Sequence, residues 1–177
     1  MMALVTESPA VPSSVYLVRH AFADHADPAR WPDDSKRPLT KDGIRRFGAA
    51  ARGLRRLVPD VDVVLSSGFA RAWQTAEVLQ KEARWPKPEE CPALEAGKPA
   101  ASALDVLRSR TESSVALVGH EPYLSQLASI LCAGGEGTMH LQLKKGAVAL
   151  IGVDDVAPGG GWLLWSVRPK FLRALDH

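Results

Sequence analysis

The stretch VYLVRHAFADHAD, residues Val15–Asp27, begins with four apolar residues and turns abruptly into Arg19-His20. The layout recurs twice: Val61 to Leu65 leads into SSGFAR, and Val115-Ala116-Leu117-Val118 leads into GHEP. Continuous apolar runs, as opposed to alternating ones, suit strands buried on both faces of a parallel sheet. Polar residues end many strands without further meaning. A guanidinium and an imidazole side by side at such an end are therefore either an ending or a site, and the rest of the chain has to decide.

Helical patterns fill the intervals. Thr40 is suited to cap a helix whose apolar positions Ile44, Phe47, Ala51, Leu54 and Val58 follow helical spacing and which Pro59 closes. Its arginines (Arg45, Arg46, Arg52, Arg55, Arg56) read as a solvated face. A second helix is predicted to begin near Phe69 and bury Ala72, Ala76 and Leu79, and a third to cover Ala100 to Arg108. A fourth should start at Pro122, a residue suited to a first helical turn, and bury Leu124, Leu127 and Leu131. Strand alternating with helix predicts the α/β class, as three α/β/α layers around a mostly parallel central sheet. The last quarter differs. AVALIGV (147–153) and GWLLWSV (161–167), joined by DDVAPGGG, read as a hairpin-like pair that adds an antiparallel edge, with Gly159-Gly160-Gly161 as a turn.

The totals bound the function. At ~150 residues per domain, 177 residues predict one domain, here 15–175 after an N-terminal tail of 1–14. The apolar fraction of 46% supplies one substantial core, and the charged fraction of 24% fits a folded chain, not a disordered one. A formal net charge of +2 is too small to argue for nucleic acid. Cys91 and Cys132 have neither metal nor redox spacing and read as reduced thiols. The start, MMALVTESPAVPSS, lacks the basic region and long apolar core of a signal peptide, and no run reaches the ~18 apolar residues of a membrane span. A cytoplasmic monomer with no nucleic-acid or membrane partner is expected.

In open α/β sheets, ligands bind beyond the carboxyl ends of the strands. Those ends carry Arg19-His20, then Ser66-Ser67 with Arg71 one turn on, then Gly119-His120. The helices beginning near Phe69 and Pro122 aim unsatisfied N–H groups at the same edge. Each piece alone reads more readily as structural, a strand-end histidine or a salt-bridging arginine. Together, two guanidiniums, two imidazoles and positive helix ends suit a multiply charged anion, with phosphate the first candidate.

LVRHA, SSGFARAWQTAEVL and LVGHEPYLSQLASIL resemble the three motifs of the histidine phosphatase superfamily, whose fold is that of phosphoglycerate mutase. RPLTKDG after the first motif, the short length and the ending LLWSVRPKFLRAL resemble, more narrowly, the SixA-type phosphohistidine phosphatases. The resemblance runs from Val15 to Leu175. It implies His20 as nucleophile, with Arg19, Arg71 and His120 forming the phosphate pocket; Ser67, at the same edge of the sheet, is expected as a further substrate contact. It also implies a phosphohistidine intermediate that water hydrolyses to inorganic phosphate, with neither metal nor other cofactor. Glu95, between the second and third motifs, stands where larger relatives place a catalytic glutamate; it reads equally as a solvated loop charge, and Glu121 and Asp24 are alternative acids. Ala21 follows His20 where most relatives have glycine. The asparagine of many sugar-phosphate enzymes is replaced near Ala26, which argues against a close match to those substrates.

His25, His140 and His177 form no metal-ligand spacing and read as surface residues. No GxxxxGK[ST] is present, so a nucleotide-hydrolysing reading has no footing. The segment Phe22 to Leu39 is long for a strand-to-helix connection and is expected to form one wall of the pocket. Only 48 residues separate Arg71 from His120, too few for a large cap once a helix and a strand are placed. The reading is a phosphatase of phosphohistidine in proteins of the histidine phosphotransfer type. Phosphatase action on small phosphoesters is the alternative, and a non-catalytic phosphoprotein-binding module is the alternative from another class.

Overall fold

Six strands, β1 (Ser14–Arg19), β2 (Val63–Ser66), β3 (Glu89–Glu90), β4 (Ser114–Gly119), β5 (Val148–Val153) and β6 (Gly161–Val167), form one sheet in the computed structural model, which describes residues 12–177. The order is β3-β2-β4-β1-β5-β6. The first four strands in that order are mutually parallel, and β5 and β6 complete the sheet antiparallel, as the change of pattern in the last quarter predicts. Most of the tail expected over 1–14 lies outside the described residues.

Alternation along the strands divides the interior into two layers. Val15, Leu17, Val63, Leu65, Val115 and Leu117 face a core closed by α3 (Ser102–Arg108) and α4 (Tyr123–Ala133). Tyr16, Val18, Val64, Ala116 and Val118 face the opposite core, closed by α1 (Lys41–Leu57), α2 (Ala70–Val78) and Leu172 of α5 (Pro169–Arg173). Both faces are apolar because both are covered, which is why these runs do not alternate in the sequence. Among the described residues, no helix is long and apolar enough to cross a membrane.

The helices follow their signals with local departures. Thr40 caps α1 by accepting the Gly43 N–H at 2.9 Å. Phe47, Ala51 and Leu54 are buried, but Ile44 is 41% exposed: in the first turn Gly43 is the residue packed against the Phe22 carbonyl, and Ile44, the next residue round the helix, faces away from it. The third helix begins at Ser102 and not Ala100, because Pro99 to Ala101 form the turn leading into it. β3 is two residues long and carried no apolar signal in the sequence.

The start of α1 rests on the segment after β1. Thr40 N–H donates to the Phe22 carbonyl at 3.1 Å, and a Cβ built on Gly43 would overlap that same carbonyl oxygen. Gly43 is thus required by the close approach of α1 to the chain two residues beyond His20. Gly48, on the same helix, has only ordinary contacts at 3.7 Å or more. Gly43→Ala should destabilise the fold by about 1–3 kcal/mol through overpacking and reduce phosphatase kcat/KM. Gly48→Ala should stabilise by about 0.5–1 kcal/mol and leave activity unchanged. Denaturant midpoints and kinetics of the two variants check this; equal effects would contradict the assignment.

Candidate active site

The register of the parallel strands brings three chain segments level. Arg19 lies opposite Gly119 across the β1–β4 ladder, and Ser66 lies opposite Val118 across β2–β4. The next backbone N–H groups continue the pattern, His20 to the Gly119 carbonyl at 2.9 Å and Ser67 to the Val118 carbonyl at 3.0 Å. The residues that follow each strand therefore converge on one cleft of about 320 Å³, whose walls include Arg19, His20, Arg71 and His120.

Both imidazoles are almost fully buried, at 6% exposure for His20 and 3% for His120, with ring centroids 5.3 Å apart. His20 Nδ1 lies 2.8 Å from the Ala21 carbonyl, an acceptor, so this nitrogen carries the proton and Nε2 keeps its lone pair. His120 Nε2 lies 2.9 Å from Ser67 Oγ, which already accepts the Phe69 N–H at 3.2 Å. The Ser67 hydroxyl proton has no other acceptor among the described residues, so it goes to Nε2, which leaves Nδ1–H of His120 as a donor.

Three buried nitrogens at this point have no partner: Arg19 Nε, Arg71 Nε and His120 Nδ1. The rest of each guanidinium is held. Arg19 Nη1 donates to the Leu143 carbonyl at 2.7 Å. Arg71 gives one hydrogen bond to the Asp34 carbonyl at 2.8 Å and a salt bridge to its carboxylate at 2.9 Å, and its guanidinium lies over Phe69. The Asp34 carboxylate is shared with Arg37 at 2.7 Å; the hydrogen bond from Arg37, with the charge of Arg71, holds this carboxyl below its ordinary value. Two fixed guanidiniums and an imidazole, each with an unpartnered N–H, suit a tetrahedral oxyanion.

Neither Ser67 nor Glu95 lines the cleft. Ser67 is fully buried behind His120, and its hydroxyl is occupied there. Glu95 is half-buried after the short helical turn Pro92–Leu94, and the wall at that point is Ala96. The carboxylates that line the cleft, among the described residues, are Asp24 and Glu121. Asp24 pairs with Arg30 at 2.9 Å, while Glu121 accepts from the Leu143 N–H at 2.9 Å and from the Ser125 hydroxyl at 2.6 Å. No cluster of three or more histidine, cysteine or carboxylate side chains is arranged for a metal ion among the described residues.

Three further residues were not singled out from the sequence. Arg37 and Lys145 join the wall, and burial followed by Arg19, Arg37 and Arg71 lowers the pKa of the Lys145 ammonium. Thr75 Oγ accepts the Ala21 N–H at 2.9 Å and donates to the Arg71 carbonyl at 2.7 Å, tying the residue after His20 to the helix of Arg71. Arg37 stood in the quoted RPLTKDG motif, and Thr75 lies one turn after Arg71; Lys145 had no signal.

Burial, with smaller contributions from the neighbouring cations, pushes the pKa of His20 down to about 3, and burial does the same for His120. Both rings are neutral at physiological pH. Between about 6.5 and about 3 the unfolded chain binds protons that the folded chain refuses, so stability falls as pH drops through that window. The slope should approach about 1.4 kcal/mol per pH unit for each histidine. Denaturant unfolding at pH 7 and at pH 4.5 should show a smaller loss for His20→Gln than for the wild type. Parallel losses would contradict the buried neutral imidazole.

Comparison with known proteins agrees with this geometry. Residues 15–95 match the histidine phosphatase superfamily, branch 1. The chain is 30% identical over 164 residues to the phosphohistidine phosphatase SixA of Escherichia coli strain K12, covering 90% of this chain and 96% of that protein. It is 33% identical over 138 residues to an uncharacterized protein of Picosynechococcus, covering 76% of this chain and 81% of the other. The structure of the protein histidine phosphatase SixA complexed with tungstate superposes with a TM-score of 0.73 at 28% identity, over 90% of this chain and 99% of that one. The chain belongs to the histidine phosphatase superfamily and is a phosphatase.

Proposed function

We propose that this phosphatase removes the phosphoryl group from phosphohistidine in proteins, with His20 as the nucleophile. The observation that carries the reading is a cleft rich in phosphate donors whose wall carboxylates are already engaged. Asp24 is paired with Arg30, Glu121 holds the Leu143 backbone and Ser125, and Glu95 stands off the wall. A phosphoester needs its leaving oxygen protonated. The leaving imidazole of phosphohistidine is protonated readily and breaks a labile P–N bond, so it demands no strong acid. The SixA relative is a phosphohistidine phosphatase by name, and the similar structure of a protein histidine phosphatase SixA holds the tetrahedral oxyanion tungstate; both support this reading.

In this reading the Nε2 lone pair of His20 attacks phosphorus as the P–N bond to the substrate histidine breaks, and the departing imidazole takes its proton from solvent. The N–H groups of Arg19, Arg71 and His120 meet the equatorial oxygens, where charge accumulates during transfer. Nδ1–H of His20 remains on the Ala21 carbonyl, which steadies the cationic ring of the phosphorylated intermediate. Water then attacks this phosphorus, releasing inorganic phosphate and restoring the neutral imidazole. The positive charge is supplied by arginines, so the reaction needs no metal.

The Asp24 carboxylate on the wall is the feature that favours small phosphoesters instead. Its carboxylate is engaged by Arg30 at 2.9 Å. With excess chelator present throughout, kcat/KM for a phosphorylated histidine phosphotransfer domain should exceed that for any common sugar phosphate by at least about tenfold, or ~1.4 kcal/mol in the barrier. Equal or faster turnover of a small ester would replace this reading with general phosphatase action. Loss of activity in chelator, restored by a divalent cation, would overturn the metal-independent chemistry.

A further inference from the structure

A second cavity, of about 260 Å³, lies across Phe22 from the phosphate cleft and shares Phe22 and Lys145 with it. Its floor is apolar, formed by Phe22, Phe47 and Pro169 among others, and its rim carries Arg46, Lys144, Lys145, Arg168, Lys170 and Arg173. Among the described residues, no carboxylate lines it. Arg46 lies 3.5 Å from Asp42, and the other five cations have no carboxylate partner among the described residues. These cations come from α1, the segment before β5, the end of β6 and α5, so the fold gathers them from well-separated parts of the chain. Gathering like charges around one depression is unfavourable unless something anionic occupies it.

We infer that this cavity is a docking site for an acidic segment of the phosphoprotein substrate, with an apolar side chain of that segment seated on Phe22 and Phe47. The inference rests on the phosphohistidine-protein reading. Three features favour a peptide segment over a small anion. Most of the rim cations are exposed, long and spread around the depression, as an extended chain requires. Among the described residues, none of the unpartnered buried donors lines this cavity, whereas three gather in the phosphate cleft. Phe22 is 51% exposed and carries the Lys145 ammonium 4.6 Å from its ring centre, an aromatic and cationic divide between the two cavities. A protein whose phosphohistidine occupies one cavity can carry its neighbouring residues over this divide, so that one ligand fills both sites.

The test is charge reversal away from the phosphate cleft. In the variant combining Arg168→Glu and Lys170→Glu, kcat/KM for a phosphorylated histidine phosphotransfer domain should fall by about tenfold or more, the low end of electrostatic steering, chiefly through KM. Hydrolysis of p-nitrophenyl phosphate should stay within about twofold of wild type, the change expected of a remote rim charge. A synthetic peptide of glutamates flanking one phenylalanine should inhibit turnover of the phosphodomain, spare the small ester, and shift the amide resonances of Phe22 and Lys170. Equal loss on both substrates, or no loss on the phosphodomain, would overturn the docking site while leaving the substrate reading intact. Failure of the wild type to dephosphorylate the domain would instead sink the substrate reading; the peptide shifts would then decide the docking site alone, and their absence would overturn it.

Discussion

The alignment of three strand ends is the constraint on which the rest depends. Arg19 faces Gly119 across one ladder and Ser66 faces Val118 across the next, so that Arg19-His20, Ser67 and His120 emerge level with one another. A slip of one residue would turn each strand's side chains to the opposite core and carry His20 away from His120. The register is strongly specified, because both faces of every central strand are buried. The hydrophobic pattern that forms the sheet is therefore also the device that assembles the site.

This assembly is costly until an anion arrives. Guanidiniums and imidazoles are drawn out of water together, and both histidines respond by staying neutral. Asp34 offsets part of the cost by bridging Arg71 and Arg37. The backbone carbonyls of Leu143 and Ala21 engage Arg19 and His20, which fixes the direction in which each side chain points. What remains is three buried N–H groups without partners, each costing about 1–3 kcal/mol. An oxyanion that satisfies all three relieves that penalty on binding. The donors are already in place, so little reorganisation is required as charge develops on the phosphoryl oxygens.

The features legible in the sequence are those encoded over short distances. Five strand runs, the caps and apolar stripes of the helices, and the placing of Arg19, His20, Arg71 and His120 after strand ends all follow from neighbouring residues. The two apolar runs joined by a glycine turn also mark the antiparallel edge, where β6 is exposed on alternate residues. What escaped depends on convergence. Arg37 and Lys145 reach the cleft from segments about a hundred residues apart, and Thr75 matters only because Ala21 lies against it. Ser67 was read as touching substrate because it follows a strand, but its position directly behind His120 makes it a partner of that ring. The basic cavity escaped for the same reason: its arginines and lysines look like ordinary solvated charges until α1, the end of β6 and α5 are brought together.

The account rests on one nitrogen, the unprotonated Nε2 of His20. Rapid quenching of the enzyme with phosphorylated substrate at alkaline pH, followed by mass spectrometry under non-acidic conditions, measures whether that nitrogen takes the phosphoryl group. The account predicts a single acid-labile, base-stable phosphoryl adduct on the peptide containing His20, formed and lost at the rate of turnover and absent from His20→Ala. Full turnover by His20→Ala, or an adduct confined to another residue, would contradict it.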